Sequence, residues 1–357
     1  MKVLQIGYGK MGTYICNTLK QNDDVTEIVV YDKKFEQEEV QEGKVKFINK
    51  SELVGYDNID CAFVATPVVT HYEIIQTLLD RGICRIYVEK PALVSEREHR
   101  HIARKKGGPE IICGYILRQS EPMFALKRIV DTMFKEGYKM DLCSVVYQKN
   151  LPAGSEPRTL TDIGVFEEIV HVWDLLFNYL QFSQADSKIL ENIQEVDPGR
   201  DDRIIYANFL YQLNFKGKTD VIPKPFTSIV NITSSFRAKE QKREFYFHFR
   251  DDDGNRRHVY LSFDNADGYD HLIVNDATGK VLYHEEYPSL EKLQNQTNKV
   301  INYFKSGYID DLATIVDSEY VTDGMELLAL ADKVIKPKGN TKKALSLNKV
   351  LENWSKK

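Results

Sequence analysis

Val3-Leu4-Gln5-Ile6-Gly7-Tyr8-Gly9-Lys10-Met11-Gly12 opens with a short apolar run that breaks into three glycines spaced Gly-x-Gly-x-x-Gly. The run Val3–Gly7 reads as a buried strand, and a helical pattern follows over Lys10–Lys20. Each glycine has its own task in such a strand–turn–helix. Gly7 permits the tight turn, Gly9 lets the backbone approach a bound pyrophosphate, and Gly12 lets the helix pack closely on the strand. The first helical turn, with Lys10 and Met11, offers free N–H groups and the positive end of the helix dipole to an anion. A second apolar run, Glu27–Tyr31, ends at Asp32, 20 residues after Gly12. An acid there accepts both hydroxyls of an NAD ribose and repels a 2′-phosphate. NAD is therefore the expected cofactor and NADP the second choice, with Lys33 and Lys34 the groups that would meet a 2′-phosphate.

From this turn onward the chain alternates short apolar runs with helical patterns. Val45–Ile48, Cys61–Ala65, Arg85–Val88 and Ile111–Gly114 read as further strands. Helices are expected at His71–Asp80 and Ser95–Lys106. Continuous apolar strands separated by helices are the mark of a parallel sheet covered on both faces. Beyond residue 140 the pattern changes to long β-rich stretches at Met140–Gln148, Arg203–Phe215, Phe226–Phe236, Glu244–Arg250 and Arg256–Asp264. Phe245, Phe247 and Phe249 face one side of their strand, and Glu244, Tyr246 and His248 the other. Asp251-Asp252-Asp253-Gly254-Asn255 signals a hairpin turn. Helices are expected at Val165–Gln181, Leu290–Lys305 and Ala313–Ile335. The fold class that results is α/β: a Rossmann lobe over residues 1–118, then an α+β lobe with a mostly antiparallel sheet over 119–335. Residues 336–357 form a lysine-rich tail in which Leu347, Val350, Leu351 and Trp354 have the spacing of a docked helix.

At 357 residues the chain exceeds what one hydrophobic core usually serves, in agreement with two lobes. A formal net charge of −5 argues against a nucleic-acid footprint. No apolar run is long enough to span a bilayer, and the first residues are too short and strand-like for a signal peptide. Five cysteines, Cys16, Cys61, Cys84, Cys113 and Cys143, show no metal-ligand spacing. They read as reduced thiols of a cytoplasmic protein that holds no metal.

Three further segments carry a resemblance. Ala65-Thr66-Pro67 ends the fourth strand, with His71 close behind, and Glu89-Lys90-Pro91 ends the fifth. His171-Val172-Trp173-Asp174-Leu175-Leu176 lies on a second-lobe helix. With the glycine turn, these resemble the Gfo/Idh/MocA family of oxidoreductases, the relatives of glucose–fructose oxidoreductase and inositol dehydrogenase. The resemblance covers residues 1 to about 180 and returns at Asp323–Leu328, which is similar to the family's last helix. It implies a cofactor site built from Gly7, Gly9, Lys10, Met11, Gly12, Asp32, Ala65, Thr66, Pro67, His71, Glu89 and Lys90. Gly114-Tyr115 and Arg118 resemble the segment joining the lobes, which implies that Tyr115 and Arg118 lie near substrate, although Arg118 also suits a structural ion pair.

Strand ends of a doubly wound sheet face the ligand crevice, so Lys90 is expected to point toward the nicotinamide and hold the substrate oxygen. His171 titrates near neutrality, as a general base for an alcohol should. It shares a polar helical stripe with Glu167, Asp174 and Asn178, beside an apolar stripe of Phe166, Ile169, Val170, Trp173, Phe177 and Leu180. Many relatives carry Asp-x-Gly-x-His, whereas this chain has Glu167 and Ile169 at the first and third of those positions. Glu168, three residues before the histidine, matches a second pattern of sugar-specific relatives. Glu167 or Glu168 is thus the carboxylate that orients His171, and Asp174 is assigned to substrate hydroxyls. The expected reaction is hydride transfer between NAD and a secondary hydroxyl or ketone of a sugar, sugar phosphate or cyclitol. A homodimer or homotetramer is expected, the dimer through the second-lobe sheet. Two other readings stand beside this one: reduction of an imine or tetrapyrrole double bond, and a non-catalytic NAD-binding sensor.

Overall fold

A computed structural model describes residues 1–35, 40–48, 58–105, 108–150, 166–180, 192–194, 207–215, 226–235, 237–289, 292–309, 311–319 and 321. The chain divides into two compact units, one of Met1–Gln119 with Glu291–Asp323 and one that includes Ser120–Leu290.

The first unit carries strands β1 (Lys2–Ile6), β2 (Glu27–Tyr31), β3 (Val40–Glu42), β4 (Val45–Ile48), β5 (Cys61–Val64), β6 (Arg85–Val88) and β7 (Glu110–Cys113). Its helices include α1 (Lys10–Gln21), α2 (His71–Asp80) and α3 (Glu96–Ala103). The strand order is β7-β6-β5-β1-β2-β4-β3, with Ala313–Thr314 added beside β7. β4, β2, β1, β5, β6 and β7 are parallel neighbours, and β3 and Ala313–Thr314 are antiparallel edges. The order reverses between β1 and β5, so the crevice for a ligand opens at the ends of those two strands. The strands read as continuous apolar runs because both faces are covered: Val3, Ile28, Val30, Phe63 and Ile112 are buried in one cluster with Ile15 and Leu19 of α1.

The same cluster includes Val300, Ile301 and Phe304 of the helix Lys292–Ser306. That helix lies along α1, where Thr18 Oγ1 donates to Thr297 Oγ1 at 3.0 Å and Asn22 Nδ2 to Asn298 Oδ1 at 2.8 Å. Residues 291–323 therefore belong with the first unit and not with the second lobe, where a boundary at 118 had placed them. A linear boundary fails because the chain returns to cover an apolar face of the first unit. Ala313 begins as a strand paired with Cys113, and helical residues follow only from 315.

The second unit is built on β8 (Lys139–Asn150), β9 (Asn192–Gln194), β10 (Ala207–Phe215), β11 (Phe226–Ser235), β12 (Arg237–Arg250), β13 (Arg256–Ser262), β14 (Tyr269–Asp276) and β15 (Val281–Pro288). The order is β15-β14-β13-β12-β8-β11-β10-β9, antiparallel throughout except for the β8–β11 pair. Phe245, Phe247, Phe249, Val259, Leu261, Leu272 and Val274 are buried on one face. Helix α4 (Glu121–Lys135) packs there, with Phe134 and Phe249 rings 5.9 Å apart. Helix α5 (Phe166–Trp173) runs into a π-helical turn, Asp174–Tyr179, in which Leu180 N–H reaches back to Leu175 O. α4, β14 and β15 were absent from the expected elements. Asp323–Leu328 and the apolar positions of the 336–357 tail lie outside the described residues. Among the described residues no helix is long and apolar enough to cross a membrane.

Candidate functional site

Backbone hydrogen bonds align the strand ends of the first unit in one row. Gly7 N–H donates to Tyr31 O at 2.8 Å, Ala65 N–H to Ile6 O at 2.8 Å, Glu89 N–H to Val64 O at 2.9 Å and Gly114 N–H to Val88 O at 2.8 Å. The glycine turn, Asp32, Ala65-Thr66-Pro67, Glu89-Lys90-Pro91 and Gly114-Tyr115 thus sit side by side along one edge of the parallel sheet.

The turn has the geometry its glycines imply. Gly7 adopts φ +97°, and a Cβ there would lie 2.5 Å from Ala65 O. A Cβ on Gly12 would lie 2.2 Å from Gly7 O, so helix and strand touch backbone to backbone. Gly9 has open space on the Cβ side. It caps α1 without a side-chain bond, and no acidic residue occupies the first turn. The orphan N–H groups of Lys10, Met11 and Gly12 are therefore presented without a competing anion, which fits the pyrophosphate of a dinucleotide.

Asp32 braces the turn from the neighbouring strand. Its Oδ2 accepts from Tyr8 N–H at 2.6 Å and its Oδ1 from Lys34 N–H at 3.0 Å. Each oxygen keeps a second lone pair, enough to receive ribose hydroxyls. Lys34 Nζ donates to Tyr8 O at 2.5 Å and lies over the Tyr8 and Phe35 rings. Gln5 is a component that no motif singles out. Fully buried in the middle of β1, it donates from Nε2 to Gly7 O at 3.0 Å and to Gly12 O at 2.7 Å. A glutamine inside an otherwise apolar strand is the signal that could have revealed it, since a buried amide needs partners.

Other expected site residues have structural attachments. His71 is buried, with Nε2 2.8 Å from Thr66 O and Nδ1 3.1 and 3.0 Å from Pro91 O and Ala92 O. It lies between the loop after β5 and the loop after β6, with backbone carbonyls facing both of its nitrogens. Burial lowers its pKa, against the pull of these carbonyls. Tyr115 is buried with its hydroxyl 3.2 Å from Ser318 Oγ, and Arg118 is buried 3.7 Å from Asp317. Both tie the returning segment to the rest of the first unit.

Glu89 and Lys90 end β6 and are half-buried. The Tyr87 hydroxyl donates to Glu89 Oε1 at 2.6 Å and lies 3.1 Å from Gln296 Oε1. Burial raises the Glu89 carboxyl above the usual carboxylate range, against the Tyr87 hydrogen bond and the Lys90 charge. Gly114 leaves room for this group, for a Cβ there would stand 2.7 Å from the Tyr87 hydroxyl.

In the second unit, His171 is only 5% exposed and Asp174 fully buried. The His171 ring lies 6.2 Å from that of Tyr147 on β8, and the Arg243 guanidinium of β12 lies over the Tyr147 ring, 5.3 Å from its centroid. Asn178 Nδ2 donates to Asp174 Oδ1 at 3.1 Å across the π-helical turn. Such turns insert an extra residue into a helix and are frequent at functional sites. The side chains of Glu167 and Glu168 lie outside the described residues.

Residues 1–109 match the model of the Gfo/Idh/MocA oxidoreductase family, described as an NAD-binding Rossmann fold. No curated protein matches the chain. Solved structures share the fold over nearly its full length. A UDP-N-acetylglucosamine 3-dehydrogenase from Acidithiobacillus ferrooxidans is 14% identical, with a TM-score of 0.63 and coverage of 93% of this chain and 97% of that one. A myo-inositol dehydrogenase from Corynebacterium glutamicum is 14% identical, with a TM-score of 0.65 and coverage of 98% and 99%. A variant 3-ketoreductase from Actinomadura kijaniata, in complex with TDP-benzene and NADP, is 13% identical, with a TM-score of 0.64 and coverage of 91% and 96%. The glycine turn, its bracing acid and the Glu-Lys-Pro strand end all fall within the segment that matches the family model.

Proposed function

We propose that this chain is an NAD-dependent dehydrogenase that acts on a secondary hydroxyl of a sugar, sugar phosphate or cyclitol, or on the matching ketone in reverse. The observation that carries the reading is the row of strand ends in the first unit: an uncapped glycine turn, Asp32 beside it, and Lys90 at the end of β6. Bound nicotinamide supplies the hydride acceptor or donor. Lys90 donates a hydrogen bond to the substrate oxygen and stabilises the charge that develops there. His171 takes the alcohol proton, with Glu167 or Glu168 orienting its ring, and Asp174 receives a substrate hydroxyl. Neighbours named for myo-inositol and for UDP-N-acetylglucosamine support a polyol or sugar substrate. The reading includes a cytoplasmic setting, in keeping with five free thiols, and a homodimer that can double into a homotetramer.

The test is a panel of sugars, sugar phosphates and inositols, followed by nicotinamide absorbance with NAD and NADP in parallel. Turnover of at least one cyclic polyol or sugar is expected, with higher kcat/KM for NAD. Asp32→Ala should erode that preference. Cofactor binding without turnover of any panel member would point to a sensor and defeat the enzymatic reading, and a preference for NADP would move the ribose contact to Lys33 and Lys34.

A further inference from the structure

The sheet of the second unit has a face away from its phenylalanine core, and four of the eight histidines stand on it. His248 and His258 oppose each other on β12 and β13, and His271 and His284 lie diagonally on β14 and β15. Pairing puts Glu286 directly opposite His271, while Ile273 is opposite His284. Side chains two apart on one strand share a face, so His271, His284 and Glu286 converge at one patch of the edge hairpin.

Glu286 Oε1 is 3.6 Å from His271 Nδ1 and 3.6 Å from His284 Nε2. All three ligand-capable atoms fall within 4.8 Å of one another. Zinc–ligand bonds of about 2.0–2.1 Å at the tetrahedral angle separate neighbouring ligand atoms by about 3.3 Å. A small rotation of side chains that are half-buried or exposed closes the remaining gap. The nitrogen chemistry also fits. Asp267 Oδ2 accepts from His271 Nε2 at 2.8 Å, which directs the lone pair of Nδ1 toward Glu286 and His284. A carboxylate behind a ligating histidine fixes its tautomer and raises its basicity as a ligand.

We propose that His271, His284 and Glu286 form a site for a zinc-class divalent cation, with Asp267 as the positioning residue behind His271 and water in the fourth position. Two imidazoles and one carboxylate favour borderline transition metals over magnesium or calcium, which take oxygen ligands. The ion would join β14 to β15, the outermost strand of the sheet. This site is independent of the dehydrogenase reading, because its residues lie on the outer sheet face and play no part in hydride transfer.

The test uses full-length protein stripped with a chelator and titrated with Zn²⁺ against a chromophoric competitor, with metal per chain measured after gel filtration. One Zn²⁺ per chain is expected. His284→Ala and Glu286→Gln should each abolish it, and Asp267→Asn should weaken it by about 10–100-fold. Replacing His248 and His258 by asparagine should leave it intact. Zn²⁺ should raise the thermal midpoint of the wild type and leave that of His284→Ala unmoved. Bound Co²⁺ should show a four-coordinate visible spectrum free of thiolate charge transfer. The proposal is overturned by undiminished binding in both His284→Ala and Glu286→Gln, by a thiolate band, or by half an ion per chain.

Discussion

Lys90 and His171 differ from the other polar groups described above in what their removal should do. Gln5, His71, Tyr115 and Arg118 hold backbone or side chains of the fold, so their loss should appear as instability. Lys90→Ala and His171→Ala should instead each lower kcat by about 10²–10⁴-fold, the usual worth of acid–base assistance. NAD dissociation constants should stay at the wild-type value, because the glycine turn and Asp32 are untouched. Wild-type turnover in both variants would remove them from the chemistry, and lost NAD binding would reassign them to the cofactor. The glycines divide in the same way. A methyl on Gly9 meets nothing within 4 Å, whereas one on Gly12 meets Gly7 O at 2.2 Å. Gly9→Ala should therefore unfold at the wild-type temperature yet bind NAD at least about tenfold more weakly, a loss of ~1.4 kcal/mol. Gly12→Ala should destabilise the fold by roughly 1–3 kcal/mol, as overpacking does. Calorimetric unfolding and NAD titration of the two variants separate these outcomes. Equal NAD affinity in Gly9→Ala and wild type would mean that no phosphate approaches that backbone.

Among the elements, α3 shows how local and distant signals combine. Ser95 caps it by accepting from Glu98 N–H, and Glu96 and Glu98 sit in its first turn, where they favour the helix dipole. His99 then projects inward, fully buried, with Nδ1 2.9 Å from Ser95 O and Nε2 3.0 Å from Ser318 Oγ. Desolvation lowers its pKa to about 4, with Ser95 O pulling the other way. The unfolded chain therefore binds a proton below about pH 6.5 that the folded chain refuses until about pH 4. Stability from this group is complete above pH 6.5 and falls as pH drops through that window, by about 3 kcal/mol in total. His71, also lowered by burial, contributes with the same sign. Thermal unfolding at pH 7.5 and pH 5 should show a large loss in the wild type and a smaller one in His99→Gln. Identical slopes would mean that His99 is protonated in the folded protein.

On the outer face of the second-unit sheet, Tyr246, His248, His258, Tyr260, Ile273 and Asn275 line a shallow pocket of about 350 Å³. The Tyr246 and Tyr260 rings lie 4.9 Å apart, tilted by 41°, and both hydroxyls reach Glu244. The proposed homodimer uses this face, since a two-fold axis lets one patch of tyrosines serve both subunits. Light scattering should give twice the chain mass, and Tyr260→Glu should lower it toward that of one chain by placing like charges beside Glu244. A single-chain mass for the wild type at micromolar concentration would exclude the dimer.

Much of the first unit was legible before any coordinates. Glu27–Tyr31, Val45–Ile48, Arg85–Val88 and His71–Asp80 coincide with observed elements, because apolar periodicity and turn residues are written in neighbouring positions. Motif spacing likewise located the glycine turn, Asp32 and the Glu-Lys-Pro strand end. α4 was also legible: Met123, Leu126, Val130 and Phe134 repeat at helical spacing behind Ser120 and Pro122. Other features depend on partners far away in the chain. Tyr115 meets Ser318 203 positions later, and Tyr87 meets Gln296 at 209. The triad His271, His284 and Glu286 has no ligand spacing along the chain, because cross-strand register, not sequence separation, brings it together. The sequence by itself determined the parallel sheet, its glycine turn and the residue types at its strand ends. Only tertiary structure decided which polar side chains the fold consumes, because burial and long-range pairing are properties of packed surfaces that no local pattern encodes.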